Sequence, residues 1–119
     1  MTLTVKEYPN AIQSLSINGK NITISGDKQF KYIKKYSKKK TKATVKLVPA
    51  EGWKISYVWG DTGYFKNNAY KSSVIKNAKT KVKKGTAITY PKKHTDLWLM
   101  INLENSSGDS FSYNVELYR

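Results

Sequence analysis

The chain has 119 residues, 39% of them hydrophobic and 13% aromatic, which suffices for one buried core and is too short for two. Lys and Arg total 22 against 8 Asp and Glu, a net charge of +14, yet the aromatic and β-branched content excludes an ordinary disordered polyelectrolyte. With no cysteine, disulfides, thiolate catalysis and cysteine-held metal sites are excluded as well.

The charge is unevenly spread. Nineteen of the 21 lysines fall between Lys28 and Lys93, where only Glu51 and Asp61 oppose them, so this block carries +17 and the flanks together −3. Such a concentration attracts polyanions at long range and is screened by salt. The single Arg argues against sequence-specific reading of nucleic acid, which favours the planar guanidinium fork. No apolar run approaches the roughly 18 residues of a membrane span. Met1-Thr2-Leu3-Thr4-Val5-Lys6 is no signal peptide, so the expectation is an intracellular protein or an excised piece of an exported one.

Period-2 alternation dominates the chain from Ala11 onward, with residues 1–10 read as an extension or leading strand. Leu15 and Ile17 lead through Asn18-Gly19, a strong two-residue hairpin signal, to Ile22 and Ile24. Ser25-Gly26-Asp27 breaks the chain, and Phe30, Tyr32 and Tyr36 share the next parity. Ala43, Val45 and Leu47 predict a further strand that ends at Glu51-Gly52. Trp53, Ile55, Tyr57 and Trp59 predict one buried face, with Trp59 at its end against a stop at Gly60-Asp61-Thr62-Gly63. The stretch 64–79 has no clear period and is expected as a long loop or weak edge strand. Thr80 and Val82 predict a strand turning at Lys84-Gly85 into Ile88 and Tyr90. Leu97, Leu99, Ile101 and Leu103 form the cleanest buried face, and Phe111, Tyr113, Val115 and Leu117 return after the turn at 105–109. Seven to eight short strands with turns between them predict an all-β, immunoglobulin-like antiparallel β-sandwich.

Two ends of this pattern carry a resemblance. Ile12-Gln13-Ser14-Leu15-Ser16-Ile17-Asn18-Gly19 resembles the first strand of the cadherin-like β-sandwich domains of bacterial exported and cell-surface proteins. Gly108 followed by Tyr113-Asn114-Val115-Glu116-Leu117-Tyr118-Arg119 is similar to that family's last strand, Tyr-x-Val-x-Leu-x-Arg. Residues 43–52 and 82–88 match its central strand and later hairpin more loosely. The lysine load and the segments 53–63 and 64–79 depart from the pattern. The resemblance implies an immunoglobulin-like fold over 11–119, an extracellular or wall-associated setting, neighbouring domains in a longer chain, and no catalytic residues. Fold alone does not assign function.

Two surfaces are candidates for binding. The first is a lysine tract, Lys31, Lys34, Lys35, Lys38, Lys39, Lys40, Lys42 and Lys46, aided by Lys76, Lys79, Lys81, Lys83 and Lys84. It suits an anionic cell-wall polymer or polysaccharide, and equally a solvated edge that blocks strand-to-strand pairing. The patch has force only if its two clusters lie side by side. The second is an aromatic platform of Trp98, Trp59, Tyr64 and Tyr70: Leu97 and Leu99 claim the buried face, so Trp98 and Met100 point away from it. An exposed ring offers large contact area at low entropic cost, although Trp98 could equally lie beneath 64–79. The lone His94 has no nucleophile motif beside it, and Asp61 and Asp109 read as turn residues. No catalytic residue, metal or cofactor is expected. The reading is a non-catalytic spacer or adhesion module with a lysine-rich face, or alternatively a carbohydrate-binding module that uses its exposed aromatics.

Overall fold

The computed structural model describes residues 11–22, 30–33 and 41–118. The extension at 1–10, the break at Ser25-Gly26-Asp27 and the lysines Lys34, Lys35, Lys38, Lys39 and Lys40 lie outside them. In chain order the elements are β1 (Ile12–Ile17), β2 (Lys20–Ile22), β3 (Phe30–Ile33), β4 (Lys42–Pro49), β5 (Trp53–Lys66), β6 (Ala69–Val74), α1 (Ala78–Lys84), β7 (Ala87–Thr89), β8 (Asp96–Asn105) and β9 (Ser110–Tyr118).

The strands form two sheets, one ordered β2-β1-β4-β7 and the other β3-β9-β8-β5-β6. The expected all-β sandwich is present, with nine strands described and one departure from antiparallel order, β3 beside β9. Its core is built from the alternating residues read in the sequence. Leu15, Ile17, Ala43, Val45 and Leu47 of the first sheet face Leu97, Leu99, Ile101, Tyr113 and Val115 of the second, all buried. The β1–β2 turn has both Asn18 and Gly19 at positive φ, as a tight hairpin with the right-handed twist of its strands demands.

Four expectations are corrected, the second only in part. First, β5 does not stop at Gly60-Asp61-Thr62-Gly63; it runs through to Lys66, and Asp61 is a strand residue, not a turn residue. Second, of the two alternatives for 64–79, the edge strand is met by β6 and the long loop is not. Asn67 and Asn68, both at positive φ, close a two-residue hairpin between β5 and the edge strand β6, using asparagine's tolerance of the left-handed region. Third, residues 78–84 are a helix and not a strand. Ala78 and Val82, four residues apart, are its buried face. At Gly85 (φ 62°) the chain reverses, its N–H donating to the Val82 carbonyl and the Thr86 N–H to that of Lys81. This paired arrangement stops a helix at a glycine. The helix packs on β4, β5 and β7 and so spans both sheets.

The fourth correction decides the surface. The pairing of β5 with β8 shifts between Ile55↔Leu103 and Tyr57↔Asn102, leaving Ser56 as an inserted residue. A bulge of one residue reverses the facing of everything after it. Ile55 is buried, but beyond Ser56 the inward positions are Val58, Gly60 and Thr62. Tyr57, expected in the core, and Trp59, at the end of that face and a candidate for the aromatic platform, are each 48% exposed. We therefore expect Ile101→Ala to cost about 2–5 kcal/mol in urea denaturation, as for a buried aliphatic. Tyr57→Ala should cost under about 1 kcal/mol, as on a surface. Equal costs would contradict the reversal.

Candidate functional site

Bulge and register together assemble the outer face of the five-stranded sheet into rows. One row runs Trp59–Met100–Asn114 across β5, β8 and β9. The next runs Val74–Asp61–Trp98–Glu116, and the next Ser72–Gly63–Asp96–Tyr118. Residues directly opposed on adjacent antiparallel strands have Cβ atoms about 4.5–5.5 Å apart. The half-buried Trp98 therefore has a carboxylate on each side, Asp61 and Glu116, with Asp96 in the row below. Phe65 and Tyr70, directly paired, close the hairpin end with ring centroids 5.1 Å apart.

The exposed large apolar side chains among the described residues are Tyr57, Trp59, Phe65, Tyr70 and Val74, and β5 and β6 supply all five. With Trp98 they share one sheet face, and a concentration of exposed apolar side chains there is a feature that soluble proteins rarely leave without use. Its centre is an open cleft of about 530 Å³ lined by Phe65, Tyr70, Trp98, Tyr118, Asn114 and the three carboxylates.

Asp96 holds this corner together. Its Oδ1 accepts from the Gly63 N–H at 3.0 Å and from the Tyr70 hydroxyl at 2.9 Å, and its backbone carbonyl accepts from Thr62 Oγ1 at 2.9 Å. Tyr70 can lie here because residue 63 is glycine: a Cβ there would run into the Lys71 carbonyl and lie 2.6 Å from the Tyr70 oxygen. Burial, and then the hydrogen bond to Asp96, push the Tyr70 phenol far above its ordinary value, so it remains a donor. Tyr118 Oη donates to Glu116 Oε1 at 2.6 Å. Burial, and then the charge of Asp96, push Asp61 above its ordinary value, against the lowering effect of a Tyr70 hydrogen bond, with Glu116 raising it further. The one hydroxyl proton of Tyr70 serves a single carboxylate at a time. Among the described residues no three Asp, Glu or His converge closely enough to hold a metal ion. The carboxylates ring an indole instead.

The bulge that creates this face is itself fastened. Ser56 Oγ donates to the Asn102 carbonyl at 3.0 Å and receives the Asn102 amide, while Ser112 Oγ donates to Asn102 Oδ1 at 2.9 Å. Lys79 Nζ, from α1, donates to the Ser56 carbonyl at 3.0 Å.

The lysines collect elsewhere. Lys76, Lys81 and Lys93 line a second cleft of about 470 Å³ with Ile88, Thr89 and His94. His94 is buried, its Nδ1 3.2 Å from Thr62 Oγ1. Because the Thr62 proton goes to the Asp96 carbonyl, this ring nitrogen carries the hydrogen and donates. Of the first lysine cluster, Lys46 does reach the second: its side-chain carbons pack against Gly85 at the helix end. Lys42 is exposed on β4, opposite Thr89. Lys31 is in β3, at the far edge of the other sheet from β6. Lys83 and Lys84 lie in the last turn of α1, where their charge complements the helix dipole, and Lys79 braces the bulge.

Of the four aromatics read as a platform, Trp98, Trp59 and Tyr70 share one face. Tyr64 does not: its ring packs on His94 at 5.2 Å under Lys93 Nζ. Asp96, Glu116, Asn114, Tyr118 and Phe65 were missed in the sequence, although the alternation of Leu97–Leu103 and Tyr113–Leu117 already puts the first four opposite the core. Compared with family models, curated proteins and solved structures, the chain matches none. Among the described residues no helix is long and apolar enough to cross a membrane.

Two outcomes follow from the Asp96 corner. Gly63→Ala should displace Tyr70 and cost about 1–3 kcal/mol by overpacking, measured by urea denaturation; an unchanged midpoint would rule out the close approach. For Asp61, the proton is held more tightly in the folded than in the unfolded state, so its contribution to stability falls as pH rises through the window just above 3.8. Asp61→Asn should accordingly raise the thermal midpoint at neutral pH, with the gain vanishing on acidification below that window. A lowered midpoint at neutral pH would show that the charged form is stabilising.

Proposed function

We propose that this chain is a non-catalytic binding module and that the outer face of its five-stranded sheet takes a carbohydrate. The observation that carries this reading is the grouping of Phe65, Tyr70, Trp98 and Tyr118 around an open cleft, with the exposed Trp59 on the same side of the sheet, away from the core. Flat rings on a flat sheet offer stacking surfaces to the C–H faces of sugar rings, and such contacts keep their strength in salt. Asp61, Asn114 and Glu116 stand at the rim as hydrogen-bond partners for hydroxyls. The sandwich and the bookend motifs support a cadherin-like module beside other domains of an exported bacterial surface protein, acting as an adhesion or spacer unit.

A second reading rests on a second cleft, between β6 and α1. Lys76, Lys81 and Lys93 converge on one cleft, which favours a contact with an anionic envelope polymer. Each exposed charge contributes roughly 1 kcal/mol at an anionic surface, so that contact depends on the sum and fades as salt rises.

The two are separated by titrating the protein with neutral hexasaccharides, cellohexaose and N-acetylchitohexaose, and with dextran sulfate, following tryptophan fluorescence. The carbohydrate reading predicts hexasaccharide binding that persists in high salt and weakens about tenfold in Trp98→Ala and in Trp59→Ala. Failure of both hexasaccharides to bind, or binding untouched by Trp98→Ala, overturns it. Binding of dextran sulfate alone, lost in salt and in Lys76→Glu/Lys81→Glu, selects the second reading.

A further inference from the structure

The cleft on the aromatic face has a charge that the rest of the chain does not. In a protein of net +14, its lining among the described residues contains three carboxylates and no lysine or arginine. Two of them, Asp61 and Glu116, are the direct cross-strand neighbours of Trp98. Carboxylates only accept hydrogen bonds, and the two tyrosine hydroxyls of the lining are already engaged, Tyr70 to Asp96 and Tyr118 to Glu116. An acceptor-rich cleft around a tryptophan face suits a ligand that brings donors and positive charge.

We infer that the sugar recognised on this face carries a free, protonated amino group, seated over the Trp98 ring between Asp61 and Glu116. This rests on the carbohydrate reading above and names its ligand class. An ammonium group has three N–H donors, matching the two flanking carboxylates, and is attracted by the negative face of an indole within about 6 Å. The surrounding lysines repel a cation at long range. Within the cleft the nearest charges are the carboxylates, and at physiological salt fields beyond about 8 Å are largely screened. Asp96 is the structural member of the trio, its Oδ1 committed to Gly63 and Tyr70. Asp61 and Glu116 do the selecting. Burial and its acidic neighbours raise Asp61, as expected of a carboxylate set among others.

The test compares three oligosaccharides of the same length and linkage geometry, the hexamers of glucosamine, N-acetylglucosamine and glucose, by calorimetry at about pH 6, where carboxylates are ionised and an amino sugar remains largely protonated. The expected result is a preference of at least about tenfold for the glucosamine hexamer. In Asp61→Asn/Glu116→Gln, the preference should collapse to within about twofold while the neutral hexamers bind as before. The single variants Asp61→Asn and Glu116→Gln, checked by thermal melting, serve if the double variant does not fold, and each should lose part of the preference. Equal binding of all three hexamers overturns this inference and leaves the carbohydrate reading standing. A preference that survives both substitutions overturns the assignment to Asp61 and Glu116. No binding of any hexamer overturns the carbohydrate reading itself, and the inference with it.

Discussion

The structure turns on one inserted residue. Ser56 takes β5 out of register with β8 by a single position, and every side chain beyond it changes sides. Without the bulge, Tyr57, Trp59 and Asp61 would share the parity of Ile55 and enter the core. With it, the core receives Val58, Gly60 and Thr62, and the aromatic residues line an outer surface. The bulge is held by Asn102 and Ser112 from the neighbouring strands and by Lys79 from α1. A buried amide such as that of Asn102 is costly unless fully bonded, so this network favours the bulged register over a slipped one.

What the bulge turns outward, the edge hairpin completes. Asn67 and Asn68 fold β6 back along β5, and Tyr70 is carried over Gly63 to reach Asp96. The hairpin end is thereby tied to the central strand β8 by a buried carboxylate. Phe65, at 69% exposure, remains at the tip of the surface, where burial among core residues has no part in its placement. Burial first, and then the charge of Asp96 with a further contribution from Glu116, raise Asp61 beside the half-buried indole of Trp98.

The molecule is therefore polarised. Asp61, Asp96 and Glu116, with the exposed aromatic residues, occupy the outer face of one sheet. The described lysines of 76–84, with Lys46 and Lys93, gather around the helix that joins the two sheets. Lysine serves more than one purpose there: Lys79 caps a bulge carbonyl, Lys83 and Lys84 complement a helix dipole, and Lys76, Lys81 and Lys93 line an open cleft. Counting charge along the chain treats these residues as one patch, whereas their neighbours divide them into distinct roles.

Much of the fold was legible because burial on one side of a strand writes itself as alternation. Leu97 to Leu103 and Tyr113 to Leu117 show their inward face residue by residue, and Asn18-Gly19 announces its hairpin through the positive φ both residues tolerate. The same alternation placed Trp98 outside the core. It misled in β5, since a period of two cannot reveal an extra residue when both faces are rich in apolar side chains. The helix at 78–84 was hidden because only Ala78 and Val82 are buried in its two turns, and a pair four apart satisfies a period of two as well as one of 3.6. The sequence by itself determined the two-layer β class, the core and the excess of lysine, since these follow from local pattern and composition. Only the tertiary structure decided that Asp61, Trp98 and Glu116 form one row, because strand register brings together residues that lie far apart in the chain.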